Sequence, residues 1–147
     1  MTGDVTHASI IPLIGGETIA SERVFGDRPK WISSYEAFRP NDSHLLSYYD
    51  NEVPYHLIDR DEHPRESVDV VGTICPCAGL SMIHNKFGSD NPHNDWMFKT
   101  TEYVLGKLRP RVFWGENAPL LFSKGGTGVR DKLYEIARRN DLSLIHI

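Results

Sequence analysis

The chain has 147 residues, a formal net charge of −4 and a pI near 5.9. This length suits one domain with a core of its own, and the acidic balance excludes a protein whose whole surface is basic, as a nucleic-acid binder's often is. The longest uncharged apolar stretch, residues 8–16, is too short to cross a bilayer, and no basic segment before it suggests a signal peptide. We therefore expect a cytoplasmic protein with free thiols.

Short apolar runs alternate along the chain with longer segments of helical periodicity. The runs that predict strands are residues 9–14, 30–36, 55–58, 68–74, 111–115 and 142–147. The segments that predict helices are residues 18–25, 41–49, 95–108 and 129–139. Uninterrupted apolar character predicts strands that are buried on both faces. The order of elements predicts an α/β fold with a doubly wound sheet and ligands at the carboxyl ends of its strands.

The last predicted helix has the clearest pattern. Thr127 is placed to cap its start and Asn140 to cap its end. Pro110 ends the preceding helical segment, because proline cannot continue a helix. The apolar residues that share one face of the last helix are Val129, Leu133, Ile136 and Ala137.

Both cysteines of the chain lie in the segment VGTICPCAGLS, residues 71–81. Cys77 follows a predicted buried strand, at the sheet edge where this fold class binds its ligands, so it is a candidate nucleophile. Ser81 or backbone N–H groups of the next turn would stabilise its thiolate. The alternative is that Cys77 is a small hydrophobic residue that fills the end of the strand.

A metal site is a further alternative for this segment. Its ligands would be Cys75, Cys77, His84 and His93. Their spacing matches none of the usual zinc signatures, so we expect no metal site.

A second polar pair, Glu116 and Asn117, follows the predicted strand at residues 111–115. Adjacent parallel strands end at the same edge of a sheet, so we expect this pair near Cys77. A carboxylate there can act as a general acid if burial raises its pKa, or it can hold a substrate by hydrogen bonds. The alternative is a solvated turn that Asn117 caps.

These two segments resemble the catalytic half of the cytosine-5 DNA methyltransferases of phage or bacterial type. In that family a Pro-Cys at the end of the fourth strand carries the nucleophile, and Pro76 and Cys77 match it. Leu80 and Ser81 match the turn that follows. The family's usual Gln after the Pro-Cys is Ala78 here.

The family's second motif is Glu-Asn-Val, after a strand that opens with proline. Glu116, Asn117 and Ala118 match this motif, with Ala118 in place of the valine, and Pro110 matches the proline. RNA cytosine-5 methyltransferases carry their nucleophile on a second cysteine at this place, and this chain has none there. The resemblance therefore favours the DNA type, although such a site could serve DNA or a structured RNA.

The resemblance also implies S-adenosylmethionine as the cofactor. A glycine loop after the first strand would wrap the methionine part, because glycines let the backbone approach a ligand. An acid after the second strand would hold the ribose hydroxyls, and an acid after the third would lie near the adenine. The residues that we assign to the cofactor are Ile14, Gly15, Gly16, Glu36, Asp59 and Met97.

The chemistry that the resemblance implies begins with a cytosine that leaves the DNA stack. Cys77 adds to ring carbon 6 while Glu116 engages ring nitrogen 3, and carbon 5 then takes the methyl group. Loss of the carbon-5 proton expels Cys77. Asn117 would position the loop, and Cys75 would be structural.

The resemblance ends near Asn140, before the family's Gln-x-Arg-x-Arg motif and target-recognition domain. We therefore expect residues 1–141 to be a partial catalytic domain, truncated at its carboxyl end, monomeric and inactive alone. DNA would bind through the missing domain. Residues 142–147, LSLIHI, correspond to CTGTCTCTTATACACATC, the end of a transposase adapter used in sequencing libraries, so we expect a non-native tail.

A different class of function stays open. The chain could be a catalytically silent module that binds S-adenosylmethionine or a protein partner. In the leading interpretation the protein works in a bacterial cell or a phage-infected host, in restriction–modification or in phage self-protection.

Overall fold

The computed structural model describes residues 4–80, 88 and 90–143. Its strands, numbered in chain order, are β1 His7–Ile10, β2 Ile32–Ser34, β3 Tyr55–Leu57, β4 Val70–Thr73 and β5 Val112–Gly115. They form one parallel sheet in the order β3-β2-β1-β4-β5. The predicted α/β class is confirmed, and the strand order is compatible with a Rossmann-like fold.

The four predicted helices are present. They are α1 Gly16–Phe25, α2 Arg39–Tyr48, α3 Asp95–Tyr103 and α4 Thr127–Arg139. A π-helical segment, Val104–Leu108, extends α3 and ends at Arg109, whose φ of 50° is left-handed, directly before Pro110. Short 3₁₀ turns lie at Glu36–Phe38, Ile58–Arg60, Ala78–Leu80, Pro92–Asn94, Pro119–Phe122 and Lys124–Gly126. No helix in the described ranges has the length and apolar character needed to cross a membrane.

The described chain divides into two compact units. The first unit comprises the described residues of Met1–Ile74 and Pro110–Gly115, and it contains the whole sheet with α1 and α2. The second comprises the described residues of Cys75–Arg109 and Glu116–Ile147, and it contains α3, α4 and the loops that follow β4 and β5. The doubly wound arrangement and the division at residue 141 stay predictions.

The core of the first unit includes the inner strand β1 and one cluster of apolar side chains. β1 is fully buried between β2 and β4, but it lies at His7–Ile10 and not at the predicted residues 9–14. Ile11 and Leu13 have left-handed φ values of 51° and 53°, which end the strand, and Ile14 is exposed. A cluster of buried side chains comes from β2, from α2 and from the residues between α2 and β3. Its buried members are Ile32, Leu45, Tyr49 and Val53.

The predicted burial of the fifth strand is wrong. Val112 is 52% exposed and Trp114 is 39% exposed. β5 pairs with β4 on one side and with no strand on the other in the described part of the chain. The edge position explains this exposure. An inner strand is flanked by neighbours on both sides, whereas β5 is flanked by β4 alone, so its side chains are less covered.

Helix α4 confirms its predicted face and one of its predicted caps. All four of the predicted face residues are buried, and Asn140 ends the helix with its Nδ2 donating to Ile136 O at 2.8 Å. Thr127 is not the N-cap, however. Gly126 takes that position, and the Thr127 hydroxyl donates back to Lys124 O at 3.0 Å. Of the predicted sixth strand, residues 142–143 are not a strand and residues 144–147 lie outside the described residues.

Candidate functional site

Cys77 lies in the loop that follows β4. Its thiol is free and exposed, so it does not fill the end of the strand as a small hydrophobic residue would. The Leu80 N–H donates to Cys77 O at 2.9 Å and closes the turn Ala78–Leu80. Thiol exposure and a fixed backbone turn are what a nucleophile at this position needs. Ser81, its predicted partner, lies outside the described residues.

The two cysteines have opposite environments. Cys75 is buried, with its Sγ 4.0 Å from Trp96 O, whereas Cys77 is exposed. Pro76 separates them and restricts the backbone between them, because its ring fixes φ. The chain therefore offers one accessible thiol and one packed thiol within three residues.

The predicted metal alternative can be examined only in part, because His84 lies outside the described residues. His93 is exposed, while Cys75 is buried. Within residues 4–80, 88 and 90–143, no group of three or more His, Cys, Asp or Glu side chains is placed to hold a metal ion.

The loop after β5 meets the loop after β4. Asn117 Nδ2 donates to Cys75 O at 3.4 Å, a long hydrogen bond that joins the two loops. The Ala118 N–H donates to Asn117 Oδ1 at 2.8 Å, so the same side chain also closes its own turn. The turn Pro119–Phe122 contacts the turn Ala78–Leu80. The two predicted motifs thus lie side by side in the second unit.

Glu116 stands in the same loop with its side chain exposed. The general-acid role that we considered requires burial, which this position does not provide. An exposed carboxylate can still accept a hydrogen bond from a substrate. The geometry therefore suits the substrate-holding role of Glu116 better than the general-acid role.

Asn94 is a residue that sequence reasoning missed. It is almost fully buried, and its Nδ2 donates to Gly88 O at 2.9 Å. The Gly88 N–H in turn donates to Gly79 O at 2.8 Å, within the turn that follows Cys77. A Cβ at Gly79 would overlap the Asn94 side chain. Asn94 therefore supports the turn Ala78–Leu80 after Cys77, and a turn-rich sequence gives no sign of this contact.

The predicted cofactor loop follows β1 in the first unit. Gly15 is the N-cap of α1 at φ 90°, and no side chain caps the helix. A Cβ at Gly16 would meet nothing within 4 Å, and Ile14 is 77% exposed. The start of α1 could bind the carboxylate of S-adenosylmethionine, because helix N-termini bind anions. Gly16 would let the backbone approach the rest of its amino-acid part closely.

Glu36 and Asp59 come together at the carboxyl ends of β2 and β3. The Glu36 N–H donates to both oxygens of Asp59, at 3.1 and 3.2 Å. The Glu36 carboxylate forms ion pairs with Arg60 at 2.9 Å and Arg39 at 3.7 Å. Such exposed pairs are weak, so a ribose hydroxyl could compete for Glu36. Asp59 orients the backbone of Glu36, which sequence reasoning did not predict.

Met97, the sixth predicted cofactor residue, lies in α3 of the second unit. It is 7% exposed, so it presents little surface to a ligand. The Thr101 hydroxyl donates to Met97 O at 2.7 Å, within the same helix. That bond involves only the Met97 backbone, and the burial of the side chain is typical of a packing residue.

Comparison with known proteins adds no assignment. No protein-family model matches the chain. The curated proteins contain no significant match either.

Proposed function

We propose that this chain is the cofactor-binding and nucleophile-bearing part of a DNA cytosine-5 methyltransferase, with the Rossmann-like fold of S-adenosylmethionine-dependent methyltransferases. The support comes from the residues of the two motifs and from a parallel α/β sheet of compatible strand order. The observation that carries the proposal is the meeting of the two motif loops. Asn117 of one loop bonds Cys75 O of the other, beside the exposed Cys77.

The nucleophile of the proposed reaction is the Cys77 thiolate. It adds to carbon 6 of a flipped-out cytosine, which places negative charge on the ring. Glu116, whose exposure leaves its carboxylate open to the base, holds the base by accepting a hydrogen bond from the amino group at carbon 4. A proton taken up from solvent at nitrogen 3 neutralises the charge on the ring. Asn117 and Asn94 hold the loop in place through their hydrogen bonds to Cys75 O and Gly88 O.

S-adenosylmethionine, when bound, supplies the methyl group that carbon 5 takes. The chain would hold its amino-acid part at Gly15 and Gly16 and its ribose at Glu36. Loss of the carbon-5 proton, and of the proton on nitrogen 3, to solvent water then restores the ring and breaks the bond between Cys77 and carbon 6. The free thiolate is regenerated, so the enzyme turns over.

The test is covalent trapping by DNA that contains 5-fluorocytosine. Fluorine at carbon 5 cannot leave as the proton does, so the bond between Cys77 and carbon 6 persists after methyl transfer. We expect an adduct that survives denaturation and maps to Cys77 in a peptide digest. Cys77→Ser should abolish the adduct, and Cys75→Ser, which removes the neighbouring packed thiol, should retain it.

Trapping should be measured with the complete gene product, since the resemblance assigns base recognition to a segment outside these 147 residues. Binding of S-adenosylhomocysteine can be measured with this chain by calorimetry. Binding without trapping would replace the enzyme with a silent cofactor-binding module. The absence of both would contradict the proposed function as a whole.

A further inference from the structure

Glu17 is a buried acid in the first turn of α1, and the proposed reaction gives it no role. It is 8% exposed, and no cation in the described part of the chain forms an ion pair with it. Burial of an acid without a cation costs free energy unless hydrogen bonds compensate for it. The contacts of this carboxyl group therefore indicate what it does.

The carboxyl group of Glu17 joins α1 to the strand that precedes it. The Ser9 hydroxyl of β1 donates to Glu17 Oε2 at 2.9 Å. The hydroxyl of Thr18, the next residue of the helix, donates to Ser9 Oγ at 2.9 Å and lies 3.2 Å from Glu17 Oε2. Ser9 and Thr18 are completely buried, so these bonds lie out of contact with solvent. Two side chains of the first turn are therefore bonded to one residue of β1.

The sheet leaves a space for this carboxyl group. Gly72 of β4 is the register partner of Ser9, so the two residues lie side by side on adjacent strands. A Cβ on Gly72 would overlap the carboxyl group of Glu17, whose nearest atom is Oε1. Every residue other than glycine has a Cβ and would fill this space. The first turn of α1 thus packs on two adjacent strands through one side chain.

The start of α1 needs a contact of this kind. The helix begins at Gly16, directly after Gly15, which has a φ of 90° and no side chain to cap the helix. The loop before it contains two further left-handed residues, Ile11 and Leu13. Left-handed φ values are costly for residues other than glycine, so such a loop keeps its shape only where its surroundings hold it. The hydrogen bond to β1 supplies an attachment that no capping side chain provides here.

We propose that Glu17 is a positioning residue, which fixes the first turn of α1 on β1 and β4 and so holds Gly15 and Gly16 in place for the amino-acid part of S-adenosylmethionine. This inference rests on the proposed cofactor site. The nucleoside part has its own assigned residues, Glu36 and Asp59, at the ends of β2 and β3. Loosening the first turn of α1 should therefore weaken the binding of the amino-acid part and leave that of the nucleoside unchanged.

The test compares two ligands on the full 147-residue chain. S-adenosylhomocysteine contains the amino-acid part, and adenosine lacks it. Ser9→Ala removes the donor on β1 and keeps the Glu17 carboxyl group. We expect this variant to bind S-adenosylhomocysteine more weakly by about threefold to tenfold, as loss of one hydrogen bond does, and to bind adenosine with unchanged affinity. Calorimetry measures both affinities.

Ser21→Ala is the matched control for Ser9→Ala. Ser21 is also buried and donates to the same carboxyl group, to Oε1 at 3.1 Å, but it lies on α1 itself. Removal of its hydroxyl deletes a bond within the helix and keeps the bond between helix and strand. Ser21→Ala should therefore bind both ligands like the unmutated chain.

The outcomes separate the two proposals. If the unmutated chain binds neither ligand, the proposed cofactor site fails and this inference fails with it. If the unmutated chain binds S-adenosylhomocysteine and Ser9→Ala loses no more affinity for it than Ser21→Ala does, the inference alone is overturned. Equal weakening of both ligands by Ser9→Ala would overturn it as well, because the loss would then be one of general structure.

A measurement on the unmutated chain covers the case in which Ser9→Ala does not fold. The NMR signal of the Glu17 carboxyl carbon should shift when S-adenosylhomocysteine binds and stay unchanged with adenosine, because only the first ligand reaches the start of α1. An unchanged signal in a chain saturated with S-adenosylhomocysteine would show that Glu17 does not respond to the amino-acid part, and the inference would fall.

Discussion

Glu17 is a buried acidic residue whose packing changes its pKa. It sits in the first turn of α1, where the Ser9 hydroxyl donates to Oε2 at 2.9 Å and the Ser21 hydroxyl donates to Oε1 at 3.1 Å. Gly72 of β4 leaves the room for it, since a Cβ there would overlap the carboxylate. Burial raises the pKa of Glu17 above its ordinary value of 4.5, although the hydroxyl donors oppose this.

This raised pKa predicts a pH-dependent stability. The folded chain holds the Glu17 proton more tightly than the unfolded chain does, so the free energy of unfolding falls as pH rises through the folded-state pKa. Urea unfolding at about pH 5 and about pH 8 should therefore contain a loss of stability from Glu17 at the higher pH, which His56 opposes because burial lowers its pKa. Glu17→Gln removes the titrating group and should reduce this loss.

Glu52→Gln is the matched control for Glu17→Gln. Glu52 is exposed and forms only a surface ion pair with Arg28, at 3.1 Å. Asp42 contributes to the pH dependence with the same sign, but it does so in every variant, so it cancels in the comparison. If the difference in the free energy of unfolding between the two pH values is unchanged in Glu17→Gln, Glu17 is not its source.

The elements differ in how far the sequence predicts them. The apolar face of α4 was predicted, because its periodicity is a local signal. The first strand was predicted four residues too far along the chain at its end, because the apolar run continues past Ile10 into a loop with left-handed residues. The exposure of β5 was not predicted, because an edge position depends on which strands are neighbours. The candidate site shows the same difference between local and long-range signals. Cys77 and Asn117 stand in readable motifs, whereas Asn94 is recognisable only by its distant contacts.

The turn after Cys77 offers a test of such a contact. Gly79→Ala places a methyl group where the buried Asn94 side chain lies, and Asn94 cannot turn away without losing its bond to Gly88 O. We expect a loss of about 1–3 kcal/mol in the free energy of unfolding, as for other overpacked sites. Urea unfolding measures it.

Gly106→Ala provides the comparison for Gly79→Ala. A Cβ at Gly106 would meet only Asn140 Oδ1, at an ordinary 3.7 Å. This variant should unfold like the unmutated chain or be more stable, because alanine favours helix over glycine by about 1 kcal/mol. Equal unfolding midpoints for Gly79→Ala and the unmutated chain would show that the turn after Cys77 adapts without cost.

At the scale of the whole molecule, charge and edge exposure bear on self-association. A formal net charge of −4 on 147 residues gives only modest repulsion between copies. Within the part of the chain that the structure describes, no strand pairs with the outer side of β5, and its Val112 and Trp114 are exposed. Edge strands of this kind pair with other chains, although the shortness of β5 and the neighbouring Arg111 limit the effect. The monomeric state stays a prediction, and we expect weak association only at high concentration.

Val112→Lys tests this expectation against a matched control. Val112 on β5 is 52% exposed, and Val24 on α1 is 77% exposed, so lysine at either position adds the same charge to the surface. Sedimentation velocity over a wide concentration range should show the unmutated chain rising above its 16.7 kDa monomer mass. Val112→Lys should stay close to the monomer, and Val24→Lys should behave like the unmutated chain. A monomer at every concentration, or equal suppression by both lysines, would show that the β5 edge does not mediate association.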